Sequence, residues 1–426
     1  MSKLFTATLL DGATGTQLMN MGMPAGVCPE LWCIEHPTAV ESIVHDYIVS
    51  GSKRVLTCTF GANRIKLTQF GAQDRCTQIN IELAQCAKRA ANGTIVGGNV
   101  GPTGKFLAPM GDLDFEQAIA IFREQCAALA KGNVDYIAIE TMMDLQEARA
   151  ALIGAKEACS LPVFVTMAFQ NGYTLTGSDA RTALIALQAL GADAVGCNCG
   201  AGPNEMLPLI EQMAPYATVP LIAKPNAGLP ALLDGQTVYS MSPDNFAHSA
   251  IKLAQAGASY LGGCCGTTPA HILALHRALH ELTFFAPERD EIEMISSARK
   301  SIPFTQMKLL ASISPTNNEN VFTAMHNKDF EMIYDYAKTL GKVDAYCLCA
   351  VGDDLPEICL LELTTQAMTQ CFPEPLCLRP SCAGALEPAL RSYAGRAIVI
   401  LDCCPTATVQ NEVKLVAKKY GALVLG

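Results

Sequence analysis

The chain has 426 residues, with 30 Lys+Arg against 40 Asp+Glu, a formal net charge of −10, 50% hydrophobic residues and 16% charged ones. So apolar a composition excludes disorder, and an acidic balance without a basic stripe argues against nucleic-acid binding. The length suits two or three domains, of which an α/β barrel of ~250 residues would count as one.

There are 19 cysteines. The apolar stretch Leu4–Leu10 runs directly into Asp11–Gly12 without a charged leader or a cleavage site, so no secretory signal is read. No apolar run approaches the ~18 residues of a membrane span. The expectation is a cytoplasmic protein, with no membrane association, whose thiols are mostly reduced.

Short apolar runs alternate with longer stretches of helical periodicity. The predicted strands are Phe5–Leu10, Arg54–Thr59, Thr94–Val100, Asp135–Glu140, Val163–Ala168, Ala194–Cys199, Pro220–Pro225 and Ser259–Cys264. Amphipathic stretches between them include Asp114–Ala130, Leu145–Ala158, Arg181–Leu190 and Ser242–Ala256; Asp179 and Ser242 are placed to start helices, and Gly51, Gly132, Gly191 and Gly257 to stop them. Eight strands joined by helices within ~270 residues is the arithmetic of a (β/α)8 TIM barrel. A doubly wound open sheet uses the same unit, but Asp11-Gly12-Ala13-Thr14-Gly15-Thr16 after the first strand is not a GxGxxG phosphate loop.

This gives a barrel over residues 1–285. Residues 286–305 are strongly charged and read as a linker, part of it helical. From 306 to 426 a second, smaller α/β domain is predicted, with strands at Lys308–Ile313, Asp344–Val351, Leu376–Pro380, Ala397–Asp402 and Ala422–Leu425. Five strands cannot close an eight-stranded barrel, so this unit must remain open or bury its edges.

Barrel active sites stand on the loops after the strands. There the sequence places Asp11, Thr57, Glu140, Asn198-Cys199, Lys224-Pro225-Asn226 and Gly262-Gly263-Cys264-Cys265-Gly266. Cys199, Cys264 and Cys265 would converge on one mouth. Three thiolates with an open fourth position suit a catalytic Zn(II), and a zinc-bound thiolate substrate could attack an electrophilic carbon without a general base. A buried cysteine is ordinarily a small apolar residue, and Cys28, Cys33, Cys76, Cys86, Cys126 and Cys159 are read that way. Two adjacent cysteines among glycines are not, and a vicinal disulfide is disfavoured in a reducing compartment. Cys197 and Cys199 would share a strand face, and spacing alone favours Cys199 as the ligand. Asp11 and Glu140 are either structural caps or substrate contacts; in the second role Glu140 pairs with a substrate ammonium and Asp11 helps to hold the substrate.

These residues, together with Thr57-Cys58-Thr59-Phe60, Gly101-Pro102-Thr103-Gly104, Glu140-Thr141, Pro225-Asn226-Ala227-Gly228 and Gly266-Thr267-Thr268-Pro269, resemble the homocysteine S-methyltransferase family, and above all the homocysteine-binding module of vitamin-B12-dependent methionine synthases. The resemblance covers about residues 1–285. It implies a zinc barrel with Cys199, Cys264 and Cys265 as ligands and homocysteine sulfur as the fourth. It further implies that Glu140 binds the amino group, that Asp11 helps to position homocysteine, that backbone amides near Gly12 and Thr57 hold its carboxylate, and that Asn198 belongs to the ligand motif. Cys58 is a departure without an assigned role.

The second domain is similar to the first half of the pterin-binding barrel that follows this module in such enzymes. Its strand ends carry Cys347, Cys349, Arg379 and Cys403-Cys404 where polar Asp and Asn are expected. The expectation is a region that has lost folate binding and serves as a docking or dimerisation module, making a homo-oligomer plausible on account of its edges. No CxxC spacing supports a second metal there. No Asp-x-His-x-x-Gly corrinoid motif is present and the second region holds one histidine, His326. A methylcobalamin donor would therefore come on a separate corrinoid protein. The alternatives are direct use of S-methylmethionine, S-adenosylmethionine or betaine, or a non-catalytic zinc-containing binding protein.

Overall fold

The structure is a computed structural model that describes residues 4–233, 236–280, 282–316 and 318–426. It divides into two compact units, one running to Thr176 and resuming over Ala192–Asp290, the other formed by Gly177–Gly191 and Glu291–Gly426.

The first unit contains eight parallel strands: β1 (Thr8–Leu9), β2 (Arg54–Leu56), β3 (Ile95–Val100), β4 (Tyr136–Met142), β5 (Val163–Met167), β6 (Ala194–Asn198), β7 (Leu221–Lys224) and β8 (Ala258–Leu261). From β2 to β8 each strand pairs with the next in the chain, and β8 pairs with β1. The remaining seam, between β1 and β2, is joined by three bonds. Lys53 N–H donates to the Leu9 carbonyl at 2.8 Å, Ser52 Oγ to the Leu10 carbonyl at 3.0 Å, and Leu56 N–H to Asp11 Oδ2 at 2.7 Å. The sheet is thus a (β/α)8 barrel. The expected first strand is divided: only Thr8–Leu9 enters the barrel, whereas Leu4–Phe5 pairs antiparallel with Phe284–Phe285.

Side-chain caps fix where the helices begin. Asp114, Asp179 and Ser242 accept N–H groups at the starts of Phe115–Lys131, Ala180–Ala189 and Pro243–Gln255, satisfying donors that a helix end leaves unpaired. The barrel interior is filled with side chains. Leu10, Leu56, Tyr136, Ala138, Phe164, Ala194 and Ile222 form one buried cluster, with Tyr260 against it. The Arg54 guanidinium lies 5.3, 5.5 and 5.4 Å from the rings of Tyr136, Phe164 and Tyr260, a cation–π contact with each. Gly97 makes room for this packing, since a Cβ there would come within 2.4 Å of the Tyr136 ring. These side chains fill the interior beneath the strand ends.

In the second unit β9 (Leu310–Ile313), β10 (Ala345–Leu348), β11 (Leu376–Leu378), β12 (Ile398–Ile400) and β13 (Leu423–Leu425) form an open parallel sheet in chain order. The segment expected to be a partly helical linker is instead an antiparallel hairpin, Met294–Ser296 with Ser301–Pro303. Its apolar residues decide the outcome against the flanking charges: Ile295, Ile302 and Phe304 join Cys347, Cys377, Ile398, Leu423 and Leu425 in one hydrophobic cluster. Helix Ala180–Ala189 belongs to this unit. Ser178 Oγ donates to the Ala298 carbonyl and Arg181 Nε to Ser301 Oγ at 2.9 Å.

Phe164 lies 4.7 Å from Tyr136 and 5.1 Å from Tyr260, centroid to centroid. Replacing it by Ala leaves a cavity at the centre of the barrel. The expected loss is about 3–5 kcal/mol of unfolding free energy, read from urea denaturation.

Candidate functional site

The three cysteines singled out above meet at the mouth. Cys199 is the first residue beyond β6, and its N–H donates to the Lys224 carbonyl at 3.2 Å. Its φ of 59° is a left-handed conformation unusual for a side-chain-bearing residue. This turn corrects the expectation that Cys197 and Cys199 share a face. Cys197 is buried with its sulfur 4.0 Å from Met213 Sδ, while Cys199 is swung out of the strand alternation and into the mouth. Cys264 and Cys265 follow β8. Cys264 N–H donates to the Pro225 carbonyl at 2.8 Å, its own carbonyl accepts from Thr267 Oγ1 at 2.7 Å, and the Cys265 carbonyl accepts from Ala227 N–H at 2.9 Å.

The three Sγ atoms lie within 4.8 Å of one another, with Cys199 and Cys265 3.8 Å apart. Tetrahedral zinc with ~2.3 Å bonds to sulfur requires sulfurs ~3.8 Å apart. Beside them Asn226 is buried and its Oδ1 has no hydrogen-bond partner, a further donor atom for a cation. The residues present therefore fit a thiophilic metal ion. Without one, the thiols share protons: S–H donation from Cys264 and Cys265 draws the Cys199 thiol down to about 3, and the thiols of Cys264 and Cys265 are raised in turn.

Asn198 directs this arrangement. Its Oδ1 accepts from Thr141 N–H and from Thr166 Oγ1, both at 2.7 Å, and its Nδ2 donates to Thr141 Oγ1 at 2.7 Å with Cys264 Sγ 3.8 Å away. Thr141 has φ 62° at an irregularity in the β4–β5 pairing, which sets the direction of the adjacent Glu140. The Glu140 carboxylate meets the Lys224 ammonium at 2.7 Å, and the same ammonium lies 3.3 Å from Asp11 Oδ1. Burial raises the Glu140 carboxyl above its ordinary value, with Lys224 opposing the rise. For Lys224 burial opposes the charge, but the two carboxylates outweigh it and hold the ammonium above the usual lysine value.

Other expected contacts are placed differently. Both Asp11 oxygens are engaged, one by Leu56 N–H and one by Lys224. The Thr57 N–H itself is bonded to the Gly97 carbonyl at 2.9 Å, and its hydroxyl, 2.6 Å from Thr59 Oγ1, also accepts from Asn99 N–H. At Gly12 a Cβ would lie 2.8 Å from Thr267 Oγ1 and from the Tyr47 ring, which requires glycine there. Sequence reasoning placed Lys224 at a strand end but gave it no role, because its partners are 84 and 213 residues away. It missed Tyr239, whose hydroxyl is hydrogen-bonded to Cys265 and which no local signal marks.

Among the described residues, no other cluster of three or more potential ligands is found. In the second unit the Cys349 and Cys403 sulfurs are 3.9 Å apart, Cys347 is hydrogen-bonded to Cys377, and Arg379 holds Asp402 through two bonds of 3.0 and 2.7 Å. These are pairs, not a metal triad.

The profile of the family described as homocysteine S-methyltransferase matches residues 8–279, the segment that carries every residue of this site. The chain belongs to the homocysteine S-methyltransferase family. Among its curated relatives, the methionine synthase of Mycobacterium tuberculosis (strain ATCC 25618 / H37Rv) is 32% identical over 374 residues, covering 81% of this chain and 31% of that protein. The methionine synthase of Mycobacterium leprae (strain TN) is 31% identical over 367 residues, covering 79% and 30%. The chain thus spans about a third of the length of these relatives. Of solved structures, the oxidised form of the homocysteine methyltransferase MmuM from Escherichia coli has a TM-score of 0.54 at 22% identity, covering 64% of this chain and 95% of that one. Its metallated form has the same TM-score at 23% identity, covering 64% and 96%. At these identities the likeness establishes a shared barrel fold. No helix among the described residues is long and apolar enough to cross a membrane.

For this family member two outcomes are expected. In metal-free protein at neutral pH, iodoacetamide should alkylate Cys199 before Cys264 or Cys265, as read by peptide mass spectrometry, because its lowered thiol is the one ionised. Asn198→Ala should lower unfolding free energy by about 1–3 kcal/mol for each buried group it leaves unpaired, measured by chemical denaturation.

Proposed function

We propose that this chain methylates homocysteine to methionine at a zinc ion held by Cys199, Cys264 and Cys265, and that the methyl group is presented by a separate methylcorrinoid protein. The observation that carries the reading is the three-sulfur cluster beside the Glu140 carboxylate at one barrel mouth. A thiol with an amino group a few bonds away is the ligand that answers both. Bound there, zinc would keep the substrate sulfur deprotonated and nucleophilic at neutral pH.

The chain's own residues do the rest. Three cysteines supply ligands and leave the fourth position to the substrate. Glu140 receives the substrate ammonium through its oxygen not engaged by Lys224. Asp11 contributes by fixing Lys224 and the β1–β2 seam, and Asn198 holds Thr141 so that Glu140 faces the mouth. The aromatic floor excludes water from below. The substrate sulfur then forms a bond to the methyl carbon as the carbon's bond to its donor breaks, with no general base on the protein.

The donor reading is supported by the surface around the mouth. Phe60, Phe106, Met110, Tyr173, Leu175 and Leu229 all stand on loops that follow strands, and all are exposed. A small sulfonium or betaine donor would need no such rim, whereas a protein-borne donor must dock on it.

The test is incubation of zinc-loaded protein and homocysteine with a methylcorrinoid protein, or with S-methylmethionine alone, scored for methionine. Product is expected only with the corrinoid protein; product from S-methylmethionine alone would reverse the donor assignment. Cys264→Ala should lose both zinc and transfer, and activity that survives zinc removal would overturn the metal assignment.

A further inference from the structure

We propose that Lys224 is a positioning residue that gives this site its selectivity for thiols bearing an amino group; the inference rests on the reading of Glu140 given above. Three charged side chains are buried together at the strand ends. Lys224 and Asp11 are each 4% exposed at the side chain and Glu140 11%, with Lys224 Nζ 2.7 Å from Glu140 Oε1 and 3.3 Å from Asp11 Oδ1. Two carboxylates confined this closely repel each other in a medium of low polarity, and a single ammonium between them removes the repulsion. One net negative charge remains.

The geometry decides where that charge is offered. Asp11 has both oxygens engaged, by Leu56 N–H and by Lys224. Glu140 gives one oxygen to Lys224, and its side chain reaches the surface of the mouth at 11% exposure. The surplus charge is thus presented by Glu140, the most exposed member of the three. The Lys224 backbone is fixed beside the site. It pairs with Asn198 in the β6–β7 ladder and its carbonyl accepts Cys199 N–H. Its stem runs past Gly262, where a Cβ would lie 3.2 Å from Lys224 Cγ. The floor therefore has the charge and direction for one primary ammonium next to a metal-bound sulfur.

The test compares binding of L-homocysteine and of its analogue without the amino group, 4-mercaptobutanoate, by calorimetry on zinc-loaded protein, with zinc content measured in each sample. The native chain should prefer homocysteine by about 10–100-fold, the worth of a charge-assisted hydrogen bond. Lys224→Met should lose most of that preference while binding 4-mercaptobutanoate and zinc as the native chain does, and Lys224→Arg should retain it. If Lys224→Met does not fold, Lys224→Gln, which keeps polarity without charge, should show the same loss. An unchanged preference in the neutral variants, or an equal fall for both ligands, would overturn the role of Lys224 and leave that of Glu140 standing. A preference that rises would show that Lys224 competes for the ammonium position, which also overturns it. A native chain without preference would sink the Glu140 reading and this inference together.

Discussion

The structure depends on curling a parallel sheet until its two edges meet. Seven of the eight strand contacts in the barrel are ordinary ladders, whereas the seam between β1 and β2 is made by a few bonds, one of which has a carboxylate as its acceptor. That carboxylate belongs to Asp11, which also touches Lys224 on β7. A residue needed to close the cylinder is therefore also part of the charged floor of the site. Closure carries Glu140 from β4 and Lys224 from β7 to within a hydrogen bond of each other across the interior, a contact no open sheet would make.

The metal site uses a different device. Cys199 and the Cys264–Cys265 pair come from strands separated only by β7, so proximity is supplied by the sheet. Orientation is supplied by backbone conformations that the strands themselves would not adopt. A positive φ at Cys199 brings its sulfur into the mouth, and another at Thr141 aims Glu140. Strained conformations of this kind persist where surrounding bonds over-determine them. Here the Asn198 amide makes three such bonds, and the Pro225 and Ala227 backbones hold the two cysteines after β8.

Much of this was legible in the sequence. The eight strand positions follow from apolar runs at repeating intervals, and the Cys264–Cys265 pair stood out because neighbouring glycines have no value in a core strand. Helix starts at Asp179 and Ser242 were readable because capping is local chemistry. What was not readable depends on distance or on φ. Lys224 looks like any lysine at a strand end until its partners arrive from β1 and β4. The turn at Cys199 is invisible because nothing about cysteine signals a left-handed residue, so Cys197 and Cys199 were assigned one face. The hairpin at Met294–Pro303 was misread because its charges are conspicuous, whereas Ile295, Ile302 and Phe304 acquire meaning only against β10 to β13.

Residues 177–191 stand in the chain between β5 and β6 yet are held by the hairpin that begins more than a hundred residues later. The chain therefore enters and leaves the second unit before the first is complete. No single cut can separate the two: a fragment ending at residue 290 retains helix Ala180–Ala189 but lacks Ala298 and Ser301, to which its N-terminal turn is bonded. The helix that follows the fifth barrel strand can thus complete these bonds only once the chain has been made as far as Ser301.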